Sequence, residues 1–492
     1  MSKRASLSNQ AFTLIVGKIF AFSFSFFVPI VLVRIYSQEQ YGLFQQLLLL
    51  FHTFYPILQL GISNSLLYFY PRDLEKRKAL LSQTFYFLLS IGILFYIVII
   101  IFQGQIAYYF HNPEIKPLLP IMGLYIILML ISSILEILLI VEEKALKASL
   151  VLFFTGFFRF TFLVGASLIL REVLVLVIAL LLIAVLRFLI LGYYLLRNYT
   201  LSFLKIDLKY FYSQLQYGIP FGLASVFVVL NTTIDKYSVS YFFDPKIYAI
   251  YAIGCFQLPI VSLIFDPVIN VMLPKISRLQ KETNIEQLHH IWKKAAGKLS
   301  FIGLPLCVYF FIMANDLIVL LFTENYINST PIFMIYLLLL PRQMTNYGVI
   351  VRAYGHTKYI LKVCFFSLLV AIVIMYPAIK LLGIVGPPIV VVFSLYLTAF
   401  FQLQKTKQLI MVNWAKLLPW KDFFKNLLVA AIIGFLIYIF KSQLSFSPII
   451  NIIVTALLFF SAYIAVAYRY QLLNESDKKM ISDFLSKMLV RG

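Results

Sequence analysis

The sequence predicts an all-α integral membrane protein of about fourteen transmembrane helices: two six-helix lobes related by a parallel repeat, plus two C-terminal helices. Three observations carry this prediction. The first is composition: of 492 residues, 62% are hydrophobic and 12% charged, and the mean hydropathy is +0.93. Soluble domains carry about 25% charged residues, and one this apolar could not cover its own core. The second is a series of apolar runs long enough to cross ~30 Å of hydrocarbon. The third is the distribution of basic residues among the connections.

In order, the runs lie near 11–33, 43–69, 80–102, 117–140, 149–170 and 174–196, then 209–232, 247–272, 299–314, 330–351, 359–380 and 384–404, and finally 423–441 and 447–468. The run from Ala11 to Val33 is as long as a bilayer-spanning helix and no small-residue cleavage site follows it. It reads as a retained first helix rather than a signal peptide. The 299–314 run is the least regular, because Asn315 and Asp316 interrupt an apolar stretch that continues to Phe322. The organisation expected is an N-terminal lobe (1–200), a second lobe (201–408), two added helices (409–470) and a tail (471–492).

Placing the N-terminus in the cytoplasm and alternating sides puts 30 of the 41 Lys and Arg residues in cytoplasmic segments, 7 in outer segments and 4 within helices. Basic residues in short loops mark the cytoplasmic side, so both termini are expected there. Anionic lipid accounts for the net charge of +21 without a nucleic-acid partner. Two cytoplasmic stretches are amphipathic and predict interfacial helices. Residues 281–298 align Ile285, Leu288, Ile291 and Trp292; the tail aligns Ile481, Phe484, Leu485, Met488 and Leu489. Cys255, Cys307 and Cys364 are widely separated in apolar runs and read as buried apolar side chains.

The polar segment YSQEQYGLF (Tyr36–Phe44) predicts an outer turn in which Ser37 caps the second helix and Gln40 completes a capping box. A shift of 207 residues aligns it with the turn Phe243–Tyr251, where Asp244 is the cap and Pro245 the first helical residue. The two turns fall between helices 1 and 2 and between helices 7 and 8, on the same side. That is the pattern of a parallel repeat about the membrane normal.

The run VRIYSQEQYGLFQQLLLLFHTFYPILQLGISNSLLYFYPR, the segment LNTTIDKYSVSYFFDPKIYAIYAIGCFQLP, and FTENYINSTPIFMIYLLLLP with YGHTK resemble the signature regions of the polysaccharide flippases, Wzx-like oligosaccharidyl-lipid exporters of the MOP superfamily. The resemblance covers essentially the whole chain. It implies a two-lobe bundle moving undecaprenyl-diphosphate-linked glycan from the inner to the outer leaflet of the bacterial cytoplasmic membrane by alternating access. A proton or sodium ion is the expected coupling ion, no other cofactor is implied, and glycan polymerase or assembly proteins are the expected partners. A lipid II-type flippase or a MATE-like multidrug/cation antiporter of the same superfamily is the alternative; fourteen helices favour the lipid-linked branch, since multidrug members have twelve.

Such a transporter needs a cationic interior, and ionisable residues inside spans are costly enough to be the first place to look. The in-span cations are Lys18, Arg159, Arg187 and Arg342, all about 10–15 Å from the cytoplasmic ends at ~1.5 Å per residue. Arg grips phosphate oxygens bidentately, so this layer is the expected diphosphate site. The competing reading is ion pairing, with Glu136 in reach of Arg159 or Lys18, or snorkelling of Lys18. Asp266, beside Pro267, predicts a kink with a possible coupling role. Asp235, next to Lys236, predicts an interfacial ion pair or a gate. His52 reads as a packing residue. The sequence holds no phosphate-binding loop, dinucleotide fingerprint or nucleophile elbow, and its longest outer connections are about 15 residues, so a transporter is expected rather than an enzyme.

Overall fold

A computed structural model describes residues 7–199, 206–258, 260–345, 347–442 and 447–470. Among the described residues every regular element is helical. Among the described residues nine helices are long and apolar enough to cross a membrane, or up to eleven when each of two bent pairs counts as one span. The sequence-based count of fourteen is therefore not confirmed. The expected spans near 247–272 and 330–351 are divided into shorter helices, and two others run together through a 3-10 turn as Thr357–Ile410.

The chain forms two compact units, Met1–Ile253 with Cys364–Ser394, and Gly254–Val363 with Leu395–Gly492. The first contains α1 (Leu7–Ile35), α2 (Gln38–Leu58), α3 (Ile62–Phe69), α4 (Arg77–Ile101), α5 (Gln103–Tyr109), α6 (Leu119–Val141), α7 (Ala145–Ile169), α8 (Val173–Asn198), α9 (Leu208–Phe242) and nearly all of α10 (Pro245–Gly254). The second contains α11 (Ile260–Lys281), α12 (Ile285–Ile312), α13 (Ala314–Phe322), α14 (Thr330–Leu337), α15 (Leu339–Gln343) and α16 (Val349–Ala353). The unit boundary crosses α17 (Thr357–Leu382) and α18 (Gly386–Ile410); α19 (Trp414–Leu417), α20 (Trp420–Ser442) and α21 (Pro448–Arg469) complete the second unit.

In the first unit the capping box at the start of α2 forms as its sequence requires. Ser37 Oγ accepts from the Gln40 amide at 3.2 Å, and Gln40 Oε1 accepts from the Ser37 amide at 3.1 Å. Its counterpart forms too, with Asp244 Oδ1 accepting from the Ile247 amide at 2.8 Å. The two starts touch: a Cβ on Gly42 would lie 1.9 Å from the Pro245 carbonyl oxygen, so only glycine admits this approach.

α9 packs along both α2 and α3. Between those two helices the chain bends by 42°, through Leu60 and the left-handed Gly61 (φ 73°). A bend of 41° in α9 follows Pro220, and the two bends meet. A Cβ on Gly61 would lie 2.4 Å from the Gly218 carbonyl oxygen, and one on Gly222 2.3 Å from the Leu60 carbonyl carbon. Polar ties flank this crossing. On one side buried Gln214 donates to Ser65 and Thr84 at 2.8 Å each, while Gln83 donates to Gln214 at 2.8 Å. On the other, buried Gln46 donates to Ser240 Oγ at 2.8 Å and accepts from Asn112 at 2.9 Å.

At the basic-loop end of this unit the Glu142 carboxylate collects Lys144 (2.6 Å), Tyr70 (3.0 Å), Tyr194 and Tyr199. Burial pushes the Glu142 pKa up, but hydrogen bonds from Lys144, Tyr194, Tyr199 and Tyr70 outweigh it and hold the carboxyl below its usual value. Burial and the same carboxylate push the Tyr199 hydroxyl up.

In the second unit the amphipathic 281–298 segment does not form a separate interfacial helix. It is continuous with the following span as α12, and its apolar face is covered: Leu288, Trp292 and Ala296 pack with Met272, Ile276 and Leu279 of α11 and with Val349 and Ile350 of α16. The periodicity is the same for a membrane-facing and a protein-facing stripe, so only the neighbours distinguish them. α20 and α21 dock on α12 through Tyr309, Ala430, Ile433, Phe459 and Tyr463, and Lys441 pairs with Asp316. All three cysteines are buried, as expected of apolar side chains. The tail helix expected over 481–489 lies outside the described residues.

Candidate functional site

The first unit brings ionisable residues from five helices around one interior space. α2 turns His52 and Tyr55 to it, α6 Tyr125 and Glu136, α7 Arg159, α8 Arg187 and α9 Lys236. The electrostatic neighbours of His52 are Arg159 and Lys236, those of Tyr125 are Arg159 and Arg187, and those of Tyr55 include Arg187, Glu136 and Tyr125. His52 is nevertheless solvent-accessible, so it opens onto space between helices. Titratable groups at membrane depth face such polar interiors rather than lipid, where an unpaired charge costs several kcal/mol.

Arg187 is the most buried cation, 7% exposed. Its Nη2 lies 2.5 Å from Glu136 Oε1 and its Nη1 3.4 Å from Thr155 Oγ1, while its Nε is buried without a hydrogen-bond partner. The sequence offered Glu136 to Arg159 or Lys18; the structure gives it to Arg187 instead, because α6 and α8 pack side by side. Arg159 is half-buried and has no ion pair among the described residues. Lys236 Nζ donates to the Thr232 carbonyl at 3.0 Å and sits 3.8 Å from Asp235 Oδ1. Asp235 is fully buried and accepts from the Tyr251 hydroxyl at 2.5 Å. The expected pairing of Asp235 with Lys236 is therefore present, in a buried setting. Among the described residues Arg187 pairs with Glu136 and Lys236 with Asp235, so Arg159 is the cation of this cluster without a carboxylate.

The other expected residues fall elsewhere. Lys18 is exposed on α1, and no contact among the described residues joins it to Arg159, Arg187 or Glu136. Arg342 belongs to the second unit, where its Nε donates to the Leu395 carbonyl at 3.0 Å between Tyr347 and Tyr396. Asp266 lies within α11, and its side chain is outside the described residues. Tyr55 and Tyr125 are the residues that reading the sequence did not single out, and His52 reads there as a packing residue. The signal for His52 and Tyr55 was their spacing of three on one face of α2, shared by Gln59 a turn further on.

The family is shown by residues 31–331, which match the model of the family described as "Polysaccharide biosynthesis protein". The chain belongs to that polysaccharide biosynthesis family. No curated protein matches the sequence. Among solved structures, a lipid II flippase MurJ in an inward closed conformation superposes with a TM-score of 0.73 at 17% identity, covering 94% of this chain and 99% of that one. An inward-facing multidrug-resistance MATE transporter of the MOP superfamily gives 0.65 at 15% identity, covering 80% and 98%. A MOP superfamily transporter from Pyrococcus furiosus gives 0.59 at 15% identity, covering 83% and 97%. This member of the polysaccharide biosynthesis family is therefore a multi-span helical membrane protein with the fold of MOP-superfamily flippases and transporters.

Proposed function

We propose that the protein flips undecaprenyl-diphosphate-linked oligosaccharide from the inner to the outer leaflet of a bacterial cytoplasmic membrane, as a transporter and not an enzyme. The observation that carries this reading is the excess interior cation, Arg159, beside His52 and Lys236, with the unpartnered Nε of Arg187 close by. A guanidinium without an internal carboxylate is matched to an anion that arrives and leaves, and a diphosphate takes it in bidentate fashion. Family membership supports the glycan as cargo. The greater coverage by the lipid II flippase than by the multidrug transporters supports a lipid-borne substrate over a soluble cation. A lipid II-type substrate is the second reading.

Movement is alternating access between two six-helix lobes, 1–200 and 201–408, with 409–470 appended and both termini cytoplasmic. The polar ties on either side of the α2/α3–α9 crossing are suited to opening one at a time. Lys18 and Arg342 are separate candidates for phosphate contact, each tested by its own alanine variant. Asp235, Asp266 and Glu136 are the coupling or gating candidates for a proton or sodium ion, and glycan polymerase or assembly proteins are the downstream partners.

Deleting the gene should cause lipid-linked repeat units to accumulate on the inner leaflet, and Arg159→Ala should reproduce that phenotype while inserting normally. Normal surface glycan in the deletion strain overturns the reading. Glycan export that stays normal while lipid II transport fails favours the lipid II reading.

A further inference from the structure

We propose that an apolar lateral groove in the first unit, bounded by α2, α4, α5 and α9, holds the hydrocarbon tail of the lipid-linked substrate. The inference rests on the flippase reading and adds where the tail goes. The groove has a volume of about 570 Å³, and its walls include Leu50, Phe54, Leu94, Phe95, Val98 and Tyr237. It lies along the half of α4 remote from that helix's basic loop. Leu94 and Val98 are exposed at its mouth, whereas Leu50 and Phe95 are buried in its floor.

Its relation to the cationic interior selects the occupant. α2 is the partition between the two: at 100° per residue, His52 points about 160° away from both Leu50 and Phe54. The partition has a seam on α9, where Lys236 belongs to the interior and the adjacent Tyr237 to the groove. At that seam the Thr53 and Tyr237 hydroxyls are buried neighbours, joining α2 to α9. A molecule with an anionic head and a long hydrocarbon tail fits on both sides of the seam at once. A bulk phospholipid, whose head stays at the interface, has no use for it. The aromatic walls offer ring faces to the unsaturated, methyl-branched units of a polyprenyl chain.

The test uses the full-length protein in proteoliposomes and two photoprobes: a polyprenyl diphosphate with a diazirine in its terminal isoprene, and a phosphatidylglycerol with a diazirine in its acyl chain. The polyprenyl probe should label α2 and α4 around Leu50–Phe54 and Leu94–Val98, and unlabelled polyprenyl diphosphate should reduce that labelling by about tenfold. Filling the mouth with Leu94→Trp and Val98→Trp, both at exposed positions, should lower labelling and glycan export together without changing the thermal unfolding temperature. Equal, uncompeted labelling by the phospholipid probe overturns the proposal. So does labelling confined to α12 and α20, which line a second apolar groove of about 540 Å³ in the other unit. If the doubly filled variant exports normally in a strain whose deletion mutant does not export, the tail site fails while the flippase reading stands.

Discussion

Arg187 and Arg159 are both in-span arginines, yet their surroundings give them different work. Arg187 is committed to Glu136, and removing one member of a buried pair leaves the other charge uncompensated at a cost of about 3–5 kcal/mol. Glu136→Ala should therefore lower thermal stability in detergent, and Glu136→Ala with Arg187→Met should recover most of it. Arg159→Lys keeps the charge without the bidentate fork, so export should fall part of the way toward the Arg159→Ala level, measured as surface glycan. Glu142 gives a pH test. A carboxyl held below its unfolded value stabilises the fold above that value, and the contribution disappears as pH falls through the folded pKa. The difference in unfolding temperature between wild type and Glu142→Gln should thus be full at neutral pH and vanish in acid below the ordinary carboxylate range. An unchanged difference across that range would remove the carboxylate from the account.

At the scale of elements, helix starts were legible in the sequence because capping is local. Ser37 and Gln40, or Asp244 and Pro245, fix the geometry within four residues of themselves. Ser37→Ala should cost about 1 kcal/mol. Gly42→Ala should cost about 1–3 kcal/mol by driving a methyl into the Pro245 carbonyl; both are measurable as shifts in thermal unfolding. The amphipathic stretch at 281–298 was legible as a helix but not by its environment. Buried Trp292 turns its apolar face from a membrane-lying one into a docking face, and Trp292→Ala should cost about 3–5 kcal/mol. His52 shows the same limit: its neighbours Arg159 and Lys236 come from two other helices and cannot be read from its own stretch of sequence.

For the molecule as a whole, the distribution of Lys and Arg predicts an orientation that single-cysteine labelling can check. In a background lacking Cys255, Cys307 and Cys364, Lys147→Cys should react only with a membrane-permeant thiol reagent in intact cells, and Glu114→Cys with an impermeant one; the reverse pattern inverts the topology. The sequence by itself determined the membrane class, the helical periodicity, the helix caps and the repeat between the two turns. Each of these depends on composition or on residues within a turn or two, where hydropathy and hydrogen bonding act locally. Tertiary structure alone decided that Glu136 pairs with Arg187, that Asp235 is buried beneath Tyr251, and that the spans near 247–272 and 330–351 are broken. It also decided that one face of α2 lines a cationic interior while the other walls an apolar groove. These outcomes depend on which helices become neighbours, and charges tens of residues apart along a chain have no fixed relation until packing sets the distance between them.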